Sequence, residues 1–257
     1  LIILPKEITL TILANKGPSV PEIIRLLDWQ DHPDHFVMVL ECPSLCENLV
    51  EFMRRHGGSL DEETVRQIMW QAAPAANMCC LRGVLHRDIK LENLLINRET
   101  SEVELIDFGC GDILRRSPYK SYNDMYDIIH FFQIDTEQSC CTSYKLLSPA
   151  GTEYHSRGKY YCRPATVWSL GVLMFTMLCG RFPSDYKLFL LHYKHWSEPG
   201  LSKECCHLLR ALLKEKPSRD LVWGKSCPTT GLRSSHKTTS VGVLQGEQAL
   251  CSVLHLA

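Results

Sequence analysis

The sequence has almost no imbalance of charge: 28 Lys and Arg stand against 29 Asp and Glu, a formal net charge of -1. Without a basic field, nothing holds a polyanion or an anionic bilayer over a broad surface, which excludes nucleic acid and membrane as obligatory partners. A Cys-x-x-Cys is also missing. The 13 cysteines fall as neighbours (Cys79-Cys80, Cys140-Cys141, Cys205-Cys206) and as singletons, and that spacing gives a zinc site little support. No signal-peptide pattern is present, so the cysteines are expected as reduced thiols in a cytoplasmic protein that could also enter the nucleus. The longest apolar run, Leu170 to Cys179, is too short to span a bilayer and suits a buried helix. There is no internal repeat and no clear dimer signal, and a monomer is expected.

What is present describes an ordinary globular chain. With 257 residues, 45% hydrophobic and 22% charged, it can bury a proper core as one large domain or two modest lobes. Pro5 to Ala14 carry apolar residues at helical spacing, and Asn15-Lys16-Gly17-Pro18 ends the run. Ile23 to Trp29 and Phe36 to Leu40 read as strands, with a turn at Asp31-His32-Pro33-Asp34 that predicts an antiparallel hairpin. Asp61-Glu62-Glu63 open a helix expected to reach about Leu81, with Pro74 as a candidate kink. Short strands are expected at Leu94 to Ile96 and Val103 to Ile106, and helices at Ala165 to Cys179 and Ser202 to Leu213. A little sheet first and many helices later imply an α+β fold, with a small β-containing lobe joined to a larger helical one. Beyond about Val222 the chain becomes a Ser/Thr/Gly-rich tail, 222–257, expected to be loosely ordered.

The strongest chemical signal is His86-Arg87-Asp88-Ile89-Lys90-Leu91-Glu92-Asn93, followed by Ile106-Asp107-Phe108-Gly109. Phosphoryl transfer needs positioning and neutralisation of charge more than covalent help. Asp88 is placed to accept a hydroxyl proton and orient the attacking oxygen. Lys90 can neutralise charge on the transferred phosphate. Asn93, five residues after Asp88, can reach a Mg²⁺ that Asp107 holds from the next hairpin. An isolated Asp-Phe-Gly would usually be a turn; the whole constellation, with a hairpin between its halves, is specific. The Asp-x-Lys arrangement favours Ser/Thr over Tyr as acceptor.

Ile24-Arg25-Leu26-Leu27-Asp28-Trp29, Glu41-Cys42-Pro43, Gly83-Val84-Leu85 and Ala165-Thr166-Val167-Trp168-Ser169-Leu170-Gly171 resemble the Pim family of serine/threonine protein kinases. The similarity covers about Pro5 to Tyr119 and Glu153 to Ser218. It implies a bilobal kinase-like fold, with a partial small lobe in 1–41 and a large lobe in 42–221. It also implies transfer of the ATP γ-phosphate, with Mg²⁺, to Ser/Thr of protein substrates with basic residues near the acceptor, in survival and proliferation signalling. Glu41 to Pro43 would be the hinge contacting adenine, and Pro43, having no N–H, would lack one hinge hydrogen bond. Leu95 matches the position under the adenine ring, although a leucine there is core-forming in any case. Glu7 matches the small-lobe helix glutamate, or is an ordinary exposed carboxylate. Glu92 either attracts a basic substrate or is a plain solvated charge. Thr166 stands where most kinases carry Asp, a departure that members resembling Pim share.

Other departures set the chain apart. The Gly-rich loop and the strand lysine that would pair with Glu7 are expected to precede Leu1. Residues 119–149 read as an atypical insertion in the activation segment, before Glu153, which resembles that segment's closing glutamate and would pair with Arg219. The alternative to a working kinase is a catalytically impaired kinase-like protein that acts by binding other proteins. Cys205-Cys206-His207 fits a helix with small packed thiols better than a metal site.

Overall fold

The structure is a computed structural model that describes residues 4–119, 159–193, 198 and 200–214. The expected insertion beyond Tyr119, Glu153, Arg219 and the tail lie outside the described residues.

Helix α1 (Lys6–Ala14) starts after Pro5, whose φ of -52° is ready for a first turn and whose missing N–H costs nothing there. It ends at Asn15, whose side chain bonds three backbone groups. Nδ2 donates to Thr11 O at 3.0 Å and Ile24 O at 3.1 Å, and Oδ1 accepts from Leu26 N at 3.2 Å. One asparagine thus fixes the helix end to the strand that follows. Strands β1 (Leu26–Asp31) and β2 (Phe36–Leu40) form the expected antiparallel hairpin. The strand begins later than its apolar run: Ile23 and Ile24 are buried at 3% exposure and face the third strand of another sheet, with Ile24 N donating to Leu105 O at 3.1 Å.

That sheet orders β3 (Cys46–Asn48), β5 (Leu94–Asn97) and β6 (Val103–Leu105), all antiparallel. Between β3 and β5 come helices α2 (Leu49–Arg55) and α3 (Glu62–Leu81), then strand β4 (Val84–Leu85). Sequence reasoning passed over α2, yet its signal is present: Asn48 accepts from Glu51 N and Glu51 returns the bond, a complete capping box. Glu47 is buried beside this cap. Hydrogen bonding and charge from Arg55, with Arg98 adding, hold its carboxyl below the usual range against its burial.

Helix α3 begins where expected, with Asp61 accepting from Thr64 N at 3.0 Å, and runs unbroken through Pro74. Pro74 is tolerated because it lies on the exposed side, while Val65, Ile68, Ala72 and Ala76 face the core. Strand β4 pairs with β7 (Asp112–Ile113), which brings the chain after Gly109 back beside the residues before His86. Helix α4 (Cys162–Cys179) is apolar on all sides and long enough to cross a membrane by length alone, but its side chains are packed inside the domain. Helices α5 (Asp185–His192) and α6 (Lys203–Leu212) follow, and Ser202 caps α6 while holding Glu62 of α3. Cys205 and Cys206 point into the core on α6, as thiols on an amphipathic helix should, and no cluster suited to a metal ion occurs among the described residues. One continuous apolar core runs from Leu10 of α1 through α3 and the sheet to α4 and α6.

Candidate active site

The segment between β4 and β5 is a loop whose shape is set by buried polar groups. His86, at 2% exposure, lies with Nε2 3.0 Å from Ile106 O, while its Nδ1 accepts from Asp88 N at 3.3 Å. These two bonds require the neutral imidazole with its proton on Nε2. Burial holds His86 below the usual histidine range, with the Ile106 carbonyl and the Asp88 and Asp107 charges opposing, so the neutral form is the stable one. The ring also leans on Phe108, centroids 4.9 Å apart. His86 therefore clamps the loop to the Asp107-Phe108-Gly109 turn.

Asp88 is 3% exposed, and its Oδ2 receives two donors: Asn93 Nδ2 at 2.9 Å and Lys90 Nζ at 2.9 Å. Asn93 Nδ2 also donates to the Asp88 carbonyl at 2.9 Å. A 3₁₀ turn (Leu91–Asn93) delivers Asn93 to this position, and Ile106 N donates to Asn93 O at 3.0 Å, joining turn and β6. Burial disfavours the Lys90 ammonium, but the hydrogen bond and charge of Asp88, with Glu92 beyond, outweigh it and raise Lys90 above its ordinary value. Lys90 is a cation throughout the physiological range. Lys90 and Asn93, both named from spacing alone, are thus within hydrogen-bond reach of Asp88.

Asp107 is exposed and takes a left-handed backbone, φ 62°, with Oδ1 accepting from Gly109 N at 3.0 Å. A non-glycine residue held at positive φ beside a loop of buried polar groups is the kind of local strain that collects at functional sites. Arg87 is also at positive φ, 67°, and its guanidinium meets Asp112 at 2.7 Å. Glu7 projects from α1 toward the same turn: a Cβ built on Gly109 would lie 3.2 Å from Asp107 Oδ1 and 3.5 Å from Glu7 Oε2. Loss of hydration and then the Asp107 charge raise the Glu7 carboxyl above its usual range, with Lys6 opposing.

The residues expected to form the hinge lie beside the sheet. Glu41 N donates to Arg25 O at 2.9 Å and Glu41 Oε1 accepts from Arg25 N at 2.6 Å, so the side chain and backbone of Glu41 both hold the residue that leads into β1. Pro43 is half-buried in the connection to β3. Leu95 is half-buried on β5, between its cross-strand partners Asn48 and Glu104. Sequence reasoning missed Glu104. Its carboxyl is pushed up to about 7 by burial, then by Glu41 and Glu102, and its Oε2 is buried without a hydrogen-bond partner among the described residues. The alternation Glu102-Val103-Glu104 was the available signal, but only the fold reveals that the second carboxylate turns inward toward Glu41.

The site thus holds a buried carboxylate with a lysine and an asparagine on it, and a second, exposed carboxylate on a strained turn. Residues 4–223 match the family described as Protein kinase domain, and the chain belongs to that family. It is 33% identical over 218 residues to the serine/threonine-protein kinase pim-2 of Danio rerio, covering 83% of this chain and 63% of that protein. Against the serine/threonine-protein kinase prk-2 of Caenorhabditis elegans it is 35% identical over 179 residues, 70% of this chain and 35% of that one. Against ppk25 of Schizosaccharomyces pombe it is 28% identical over 205 residues. The chain thus spans less than two thirds of the length of each of these relatives.

Proposed function

We propose that the chain is a serine/threonine protein kinase of Pim type, with Asp88 as proton acceptor. The observation that carries this is the burial of Asp88 with Lys90 and Asn93 both 2.9 Å from its Oδ2. The Asp88 carboxylate orients a serine or threonine hydroxyl and takes its proton as the oxygen bonds to the γ-phosphorus of ATP and the bond to the bridging oxygen breaks. Lys90, kept protonated by Asp88, faces the charge of the transferred group. Asn93 gives its amide nitrogen to Asp88, which leaves its Oδ1 available; with the exposed Asp107 carboxylate it forms a hard-oxygen pair that fits Mg²⁺. When bound, that ion would neutralise phosphate charge. Glu41, Pro43 and Leu95 take the adenine, and Glu92, close to Lys90, favours substrates with basic residues near the acceptor.

A second reading, a kinase-like protein that acts by binding other proteins, is favoured by Glu7, where the charges acting on the carboxyl are Asp107, which repels it, and its neighbour Lys6. The test is transfer of labelled phosphate from ATP with Mg²⁺ to an arginine-rich serine peptide, with Asp88→Asn as control. Transfer that disappears in the control supports a working kinase. No transfer above the control would favour the binding role, and equal transfer by both proteins would reject Asp88 as the acceptor.

A further inference from the structure

We propose that Cys80 and Cys162 form a peroxide-responsive dithiol that closes to a disulfide and staples the end of α3 to the start of α4. The two sulfurs lie 3.5 Å apart across 82 residues of sequence, one in the last turn of α3 and the other opening α4. A disulfide needs about 2.05 Å between sulfurs, so closure asks for a small approach of two helix ends already in contact. Both thiols are buried, at 3% and 5% exposure, in a cluster of their own with Leu85, Ala165, Tyr119 and Tyr160. In that cluster Tyr119 and Tyr160 exchange backbone hydrogen bonds at 2.9 and 3.1 Å and stack their rings at 5.2 Å. The dithiol therefore sits beside the paired Tyr119 and Tyr160 and against Leu85, the residue before His86.

The pair is chemically unequal. The contact between the two sulfurs, with Arg163 nearby, lowers the Cys80 thiol despite its burial, and the same contact raises Cys162. Cys79, the next residue along and wholly buried, is pushed up by desolvation. Cys80 is thus the attacking sulfur and Cys162 the resolving one. The Cys80 thiolate attacks one oxygen of hydrogen peroxide, the O–O bond breaks, and hydroxide leaves with the thiol's proton as water, giving a sulfenic acid. The Cys162 sulfur then attacks the Cys80 sulfur, the S–O bond breaks, and hydroxide takes the Cys162 proton as a second water. Two thiols lose two electrons in total and one peroxide becomes two waters. None of this depends on phosphate transfer.

The experiment treats the full chain with hydrogen peroxide in native buffer, blocks remaining thiols, and maps disulfides by mass spectrometry of a non-reducing digest. The expected product is a Cys80–Cys162 linked peptide pair that dithiothreitol reverses. Closing a loop of this length should also raise the melting temperature by roughly 5 °C or more. In Cys162→Ser, a sulfenic acid should accumulate at Cys80 and be trapped by dimedone. Two free thiols at these positions under a dose that oxidises the exposed Cys42 would overturn the proposal. So would a Cys80 disulfide to any other cysteine, or an unchanged melting temperature in the linked form; the mapping on the unsubstituted chain decides even if the serine variant does not fold.

Discussion

Asn93 and Asp88 are joined twice: one amide nitrogen lies 2.9 Å from both the backbone carbonyl and the carboxylate Oδ2 of Asp88. The double bond fixes the direction of the carboxylate and consumes the donor end of the asparagine. Both residues are buried, at 3% and 5% exposure, so neither can substitute water for the other without opening the loop.

Asn93→Ala should therefore fail in two separable ways. The Asp88 carbonyl loses its buried donor, which should destabilise the fold by about 1–3 kcal/mol in denaturant unfolding. Phosphate transfer should fall by at least ~100-fold, and the Mg²⁺ concentration for half-maximal activity should rise. A normal Mg²⁺ requirement in the variant would remove Asn93 from the cation site.

The half-buried Glu104 and the buried His86 should give the stability of the chain opposite pH dependences in overlapping windows. Glu104, raised from 4.5 to about 7, holds a proton in the folded state that the unfolded chain has released. Its contribution favours folding below about pH 4.5 and is lost as pH rises to 7. His86, held below 6.5 by burial, is neutral in the folded state where the unfolded chain is already protonated. Its contribution is present above pH 6.5 and is lost as pH falls. Glu104→Gln should raise unfolding free energy at pH 8 by about 1–2 kcal/mol, after discounting the shift for solvent screening. The gain should shrink at pH 5, which chemical denaturation at the two pH values would check. An equal gain at both would mean the effect is packing and not charge.

How much of this was legible beforehand follows from the range of each interaction. His86 to Asn93 and Asp107 to Gly109 were readable because phosphoryl-transfer chemistry fixes residue types at short spacings. The 3₁₀ turn and one short hairpin then bring the two groups together. Helix α3 was readable from Asp61 and its apolar period. Ile23 and Ile24 misled, since two adjacent apolar residues read as strand while the fold spends them on a contact with Leu105 more than 80 positions away. The inward turn of Glu104 and the meeting of Cys80 with Cys162 are likewise products of long-range packing, and neither leaves a periodic trace in the sequence.

Pro74 predicts a gain. A proline inside a continuous helix withholds a backbone N–H and crowds the carbonyl one turn earlier, at Trp70. The position is exposed, so a side chain of another kind meets little. Pro74→Ala should stabilise the chain by about 2–3 kcal/mol, seen as a shift of the urea midpoint with an unchanged slope. No shift would mean that the helix has already relaxed around the ring.

Gly111 ties the position of α1 to the loop that carries Asp107. A Cβ there would lie 2.9 Å from Leu10 Cδ1, 3.0 Å from Leu85 O and 3.0 Å from Phe108 O. The leucine tip could swing aside, but two backbone carbonyls cannot. Gly111→Ala must therefore push β7 away from β4 or lift the Phe108 carbonyl, and either movement displaces the turn that sets Asp107 against Glu7. Overpacking of this kind should cost about 1–3 kcal/mol of stability. The larger effect should fall on transfer, because the Asp107 carboxylate moves relative to Asp88 while Asp88, Lys90 and Asn93 stay joined. Stability measured by denaturant and activity measured by phosphate transfer should therefore separate, with activity lost by ~100-fold or more in protein that is still folded. A variant that keeps full activity while losing stability would show that α1 and the Asp107 turn are positioned independently.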